Sequence, residues 1–255
     1  MKNFIVALFV ITVVLSSCDK EDAQGGTFDG PKATLYGGKA WTRVQLDADG
    51  NPISSGFVID DAALNSLPVG GTAAGLENSL QFDSRASKLP FMHAGLDWNP
   101  NGHDPLFIYG KPHFDFHFYM IGEAERMAIP VYTADSVKFK NSPNAAYLPP
   151  TYINPGGGVP MMGAHWIDAT SPEVSPTNPQ PFTQTFIYGT YNGKVIFYEP
   201  MITLDFLKAT TTFERSIPQP TKFQTTGYFP TKMKVARHDG VTEVVLTDFV
   251  SRQAS

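Results

Sequence analysis

The sequence predicts a single mainly-β domain, a sandwich or incomplete barrel with a few short helices. Three observations carry this. The chain is rich in aromatic residues, with 19 Phe and 10 Tyr, which favour strands over helix bundles. It is punctuated throughout by 22 Gly and 21 Pro, so segments between turns are short. Its most regular stretch, His113 to Ile121, alternates polar and apolar residues with the two-residue period of a strand. No internal repeat or later linker is visible, so the domain is expected to fill residues 28–255.

Taken in order, Thr34 to Leu46 reads as extended. Asp47 to Pro52 reads as a turn leading into a second strand, Ile53 to Ile59. Asp60 caps a short helix that Pro68 stops. Leu80 to Phe82 and Phe91 to Leu96 are short strands. Glu123 to Ala128 is a helical turn ending at Pro130, and residues 141–163, dense in Pro, Gly and Asn, form a long ordered loop. Phe182 to Tyr188 and Lys194 to Leu204 form a hairpin around Asn192-Gly193. Tyr228 to Val235 and Val241 to Phe249 close a last hairpin around His238-Asp239-Gly240.

The N-terminus reads as an export signal over residues 1–17. Lys2 supplies positive charge, Phe4 to Leu15 is an apolar run too short for a comfortable membrane span, and small residues follow. Leu15-Ser16-Ser17-Cys18 resembles the bacterial lipobox, which implies lipid on Cys18 and attachment to a membrane. The lone cysteine agrees, since one thiol makes no internal disulfide, and CxxC or thiolate-zinc chemistry is excluded. Residues 18–27 read as a lipidated tether. Their acidic start resembles the surface-export signal of some Bacteroidetes-type lipoproteins, so the expected location is the cell envelope, at the outer membrane or cell surface. With 19 Lys and Arg against 24 Asp and Glu, and no basic stretch interleaved with aromatics, nucleic acid is not an expected partner.

Chemistry is expected from histidine. In His113-Phe114-Asp115-Phe116-His117-Phe118-Tyr119, three phenylalanines share one face and His113, Asp115 and His117 share the other. If that second face is interior, its polar groups need partners. A divalent metal (Zn, Mn, Fe or Cu) would satisfy imidazole and carboxylate together. Gly163-Ala164-His165-Trp166 and Phe197-Tyr198-Glu199-Pro200 supply a further imidazole and a mid-strand carboxylate. The expected ligands are therefore His113, His117, His165 and Glu199, with Asp115 as orienter or substitute and with His103 and Tyr119 as assisting groups. Residues four apart on a strand are separated by about 13 Å at ~3.3 Å per residue. A histidine places a metal only about 6 Å from its own Cα, with Zn–N near 2.1 Å. His113 and His117 thus share an ion only if the strand bulges; on a straight strand Asp115 joins one of them. The competing reading is a half-exposed strand whose histidines meet Asp115 or solvent. The pattern is similar to cupin-type sites but departs from them, because cupins place their first two histidines two residues apart.

Other motifs carry less. Gly156-Gly157-Gly158 lacks the Lys-Ser/Thr of a phosphate loop, and no Gly-x-Ser-x-Gly is present. Residues 95–205 resemble a family of bacterial exported proteins of unknown function. The resemblance lies in Gly102-His103-Asp104-Pro105, Pro112 to Tyr119, Gly158 to Trp166 and Glu199-Pro200-Met201-Ile202-Thr203. It implies a shared site at His113, His117, His165 and Glu199 and, from a ring-forming relative, a homo-oligomer; it implies no substrate. Two function classes follow. One is a metal site of undetermined activity, as a hydrolase or oxygenase. The other is a non-catalytic module for small-molecule binding or oligomeric assembly. A third, carbohydrate binding, would use Trp98 and Trp166 as stacking platforms.

Overall fold

The computed structural model describes residues 25–255, so the expected signal segment and Cys18 lie outside the described residues. In chain order the strands are β1 (Gly26–Asp29), β2 (Ala33–Leu35), β3 (Gly38–Leu46), β4 (Pro52–Asp60), β5 (Leu76–Leu80), β6 (His93–Asn99), β7 (His113–Tyr119), β8 (Tyr152–Ile153), β9 (Ala164–Asp168), β10 (Gln184–Tyr191), β11 (Lys194–Thr203), β12 (Thr212–Ser216), β13 (Gly227–Phe229), β14 (Lys232–His238), β15 (Val241–Thr247) and β16 (Val250–Arg252). Short helices lie between them: α1 (Asp61–Ser66), α2 (Leu106–Tyr109), α3 (Glu123–Met127), α4 (Ser136–Lys140) and α5 (Leu204–Ala209). The molecule is mainly β, as the composition predicts.

Two antiparallel sheets pack face to face. The first runs β1-β3-β4-β15-β14-β12 with β2 against β3; the second runs β5-β6-β7-β11-β10-β9-β8. β13 and β16 pair separately. The common core is aromatic. Phe57 of β4 packs edge-on against Phe116 and Phe118 of β7, at 5.2 and 5.1 Å between ring centres. Phe114, Phe116 and Phe118 are all completely buried there.

Local chemistry explains most boundaries. Asp60 accepts a hydrogen bond from Ala63 N–H at 2.7 Å and starts α1. Thr203 does the same for α5 through Phe206 N–H at 3.3 Å. Asn192 and Gly193 have φ of 48° and 79°, the double positive pair of a tight hairpin turn. No helix among the described residues is long and apolar enough to cross a membrane.

Several expectations need correction. The stretch from Thr34 to Leu46 is a hairpin, broken at Tyr36 where φ is 47°. Regular structure starts inside the expected tether, because Gly26 and Thr27 pair with Leu46 and Gln45. His93 of β6 is buried. Trp98 cannot be an open platform: it is 1% exposed and packs 4.7 Å from Phe114, with its indole N–H donated to the Pro68 carbonyl. Trp166 is half-buried against the same core, and its indole N–H goes to Thr190 Oγ1 at 2.9 Å.

Candidate metal centre

The second sheet is buried on both faces. Its outer face lies beneath a smaller apolar cluster that includes Ile129 and Phe139 from the segment after β7. Strand register then fixes what shares that face. Asp97 of β6 lies opposite Asp115 of β7, and Gly95 opposite His117. On the other side Met201 of β11 lies opposite Asp115, which places Glu199 across from His117. His165 of β9 lies opposite Gly189, itself opposite Phe197 of β11. His165 enters from a turn closed by the Gly163 N–H on the Val159 carbonyl at 2.8 Å. Polar side chains from four strands, β6, β7, β11 and β9, therefore line one largely buried face.

The expected ligands divide into two groups. Each has ligand atoms that lie within 4.8 Å of one another: His117, His165 and Glu199 in one, His103, His113 and Asp115 in the other. His113 thus does not join His117. The register of β7 with β6 is unbroken from His113 to Tyr119, so no bulge brings them together. The straight-strand alternative holds, with Asp115 beside His113.

In the first group, His117 Nε2 is 3.5 Å from Glu199 Oε1, and His165 Nε2 is 3.6 Å from Glu199 Oε2. His117 and Glu199 are buried, and neither His117 nitrogen nor Glu199 Oε2 has a hydrogen bond of good geometry. Burial pushes the Glu199 carboxyl up, to about 8, against the pull of the His117 charge. Burial alone would lower His117, but the charge of Glu199 and the contact with Asp97 outweigh it and raise it to about 9. Both members of the pair are thus raised above neutral pH, and each keeps its proton there. His165 is pushed down to about 4 by burial and by the His117 charge, so it is neutral with a free lone pair.

Two residues the sequence reading passed over fix this geometry. Asp97 Oδ2 lies 3.1 Å from His117 Nδ1, the carboxylate-on-imidazole support common behind metal-bound histidines. Gly189 lets the Phe197 ring lie over the sheet: a Cβ there would sit 2.0 Å from Phe197 Cε1. That ring fills the space beside both imidazoles, 5.0 Å from His117 and 5.3 Å from His165. The signal for Asp97 was readable, since His93, Asp97 and Asn99 share one parity; the expected strand stopped at Leu96. Tyr119 stacks on His117, with ring centres 5.3 Å apart and planes 7° apart. Its hydroxyl accepts a 3.4 Å contact from Arg126, which is ion-paired with Glu77. Tyr119 therefore orients the ring of His117.

In the second group, Asp115 Oδ1 is 3.1 Å from His113 Nε2 and Oδ2 is 3.3 Å from His103 Nε2. Burial would raise Asp115, but the close contact and positive charge of His103 and His113, when these rings are protonated, prevail and hold it below the usual carboxylate range. Asn99 Nδ2 donates to Asp115 Oδ2 at 2.8 Å. Both groups border one cleft of about 550 Å³ whose wall includes Asp97, His103, Asp115, His165 and Glu199.

Imidazole and carboxylate donors without sulfur suit Zn, Mn, Fe or Cu. The buried, unpartnered atoms are the lone-pair positions such an ion would occupy. No protein-family model, curated protein or solved structure shows a significant match to the chain.

Proposed function

We propose that the protein is an exported, lipid-anchored metalloprotein of the cell envelope whose cleft is a reaction site, hydrolytic or oxygen-using. One observation carries the metal reading: ligand atoms of His117, His165 and Glu199, from three different strands, converge, and His117 Nε2 and Glu199 Oε2 are buried without a hydrogen bond. Two imidazoles and one carboxylate leave open coordination positions, and an ion held there would supply a Lewis acid able to activate water or dioxygen. The protein's own groups then have distinct tasks. Asp97 and Tyr119 fix the ring of His117, Phe197 keeps water from between the imidazoles, and His165 enters already deprotonated. Export and lipidation are supported by residues 1–18 alone.

Elemental analysis of untagged protein tests the reading. At least one equivalent of Zn, Mn, Fe or Cu per chain is expected, with one equivalent lost in His165→Ala. Metal content unchanged by that substitution, or none in any preparation, overturns it. Lipid on Cys18 predicts partition into detergent that Cys18→Ser abolishes; unchanged partition removes the anchor.

A second reading, as a non-catalytic binding module, draws on a separate cavity of about 570 Å³ lined mainly by Met92, Met120, Val195, Tyr198, Phe223 and Phe229. Such an apolar chamber suits capture of a small apolar ligand. Absence of metal together with recovery of a bound organic molecule would favour it.

A further inference from the structure

We propose that His103, His113 and Asp115 form a second divalent-cation site, so that the cleft holds two ions per chain. The inference extends the metal reading above but stands on its own ligands.

The argument begins with the outward nitrogens of the two rings. His113 Nδ1 lies 2.6 Å from the Lys111 carbonyl and His103 Nδ1 lies 2.9 Å from the Asp104 carbonyl. A carbonyl oxygen only accepts, so each Nδ1 carries the hydrogen and donates it. In the neutral ring each Nε2 is then a bare lone pair. Both lone pairs face the Asp115 carboxylate, His113 Nε2 on Oδ1 and His103 Nε2 on Oδ2. Acceptor facing acceptor at 3.1 Å is repulsive unless a positive centre, a proton or a metal ion in its place, sits between them. His113 is wholly buried, and neither its Nε2 nor Asp115 Oδ1 makes a hydrogen bond of good geometry. A backbone carbonyl on Nδ1 with Nε2 turned to the ion is a usual way to orient a metal-binding histidine, and Asn99 orients the carboxylate in the same manner.

The two sites are distinct. The two groups share no residue, and each closes on itself with ligand atoms within 4.8 Å of one another. They nevertheless border one cleft, through Asp115 and His103 on one side and Glu199 and His165 on the other. His103 is the one ligand in a loop, half-exposed at the mouth.

Equilibrium dialysis of chelator-stripped, untagged protein against Zn²⁺ tests this. The wild type is expected to bind two ions, His103→Ala one, His165→Ala one, and the double variant none. His103 is half-exposed, so its removal spares the fold; Asp115→Asn, with folding checked by circular dichroism, is expected to repeat the loss. One ion in the wild type, kept by His103→Ala and lost by His165→Ala, overturns the second site and leaves the first standing. Two ions in both the wild type and His103→Ala overturns it as well. No ion in any protein removes both.

Discussion

The two faces of β7 are equally buried and chemically opposite. Phe114, Phe116 and Phe118 look inward and are satisfied by contact alone, chiefly with Phe57 and Phe91. His113, Asp115 and His117 look outward into a second, smaller enclosure where several of their polar atoms have no well-formed partner. Hydrocarbon gains from burial without needing a specific partner, whereas a buried lone pair costs free energy until something answers it. The inner face therefore stabilises the fold, and the outer face is held in place by it.

That contrast can be broken from either side. Phe116→Ala should cost about 3–5 kcal/mol in chemical denaturation, equally with and without metal, because the loss is packing. Saturating Zn²⁺ at about 100 times its dissociation constant should stabilise the wild type by about 2.7 kcal/mol per site, seen as a rise in melting temperature that a chelator reverses. A Phe116→Ala effect that vanished on metal binding would show the faces to be coupled. Asp97→Asn should weaken metal binding roughly 10–100-fold in the same titration while changing stability without metal little, since it removes only the support behind His117. A further test is in pH. His117 and Glu199 are both raised, and each retains a proton at neutral pH that the cation must displace, so binding should tighten as pH rises. The slope should approach about a hundredfold per unit below pH 8 if both protons are released, fall to about tenfold between pH 8 and 9 where only His117 still holds one, and flatten above pH 9. A flat profile between pH 6 and 8 would mean the protons are not held there. His165, already lowered to about 4, adds nothing to that slope.

Much of this was legible. Parity alone placed the phenylalanines together and the polar residues opposite, and Asn192-Gly193 marked its hairpin. Strand rise also showed that His113 and His117 need a bulge to share an ion, and the unbroken register supplies none. The partners from elsewhere were harder. His165 and Glu199 could be named as candidates, but that β10 lies between their strands is a matter of sheet order, which no local pattern encodes. His103 reaches Asp115 from a loop, and loops carry no periodicity to say where a side chain ends up. Asp97 went unseen because the expected strand ends at Leu96, one residue short of it, while β6 runs on to Asn99. Trp98 misled for the opposite reason: an aromatic in a strand reads the same whether it faces ligand or core.

The rings of His93, Tyr119 and His117 form a continuous pile, with centres 4.7 and 5.3 Å apart and planes within 12° and 7°. An imidazole clamped in this way cannot swivel to suit whichever ion arrives. Raw affinity among first-row divalent ions favours copper over its neighbours regardless of the protein. A rigid donor would turn the choice into one of shape, so at the proposed site the fixed angle of His117 would weigh an ion's preferred geometry against its raw affinity.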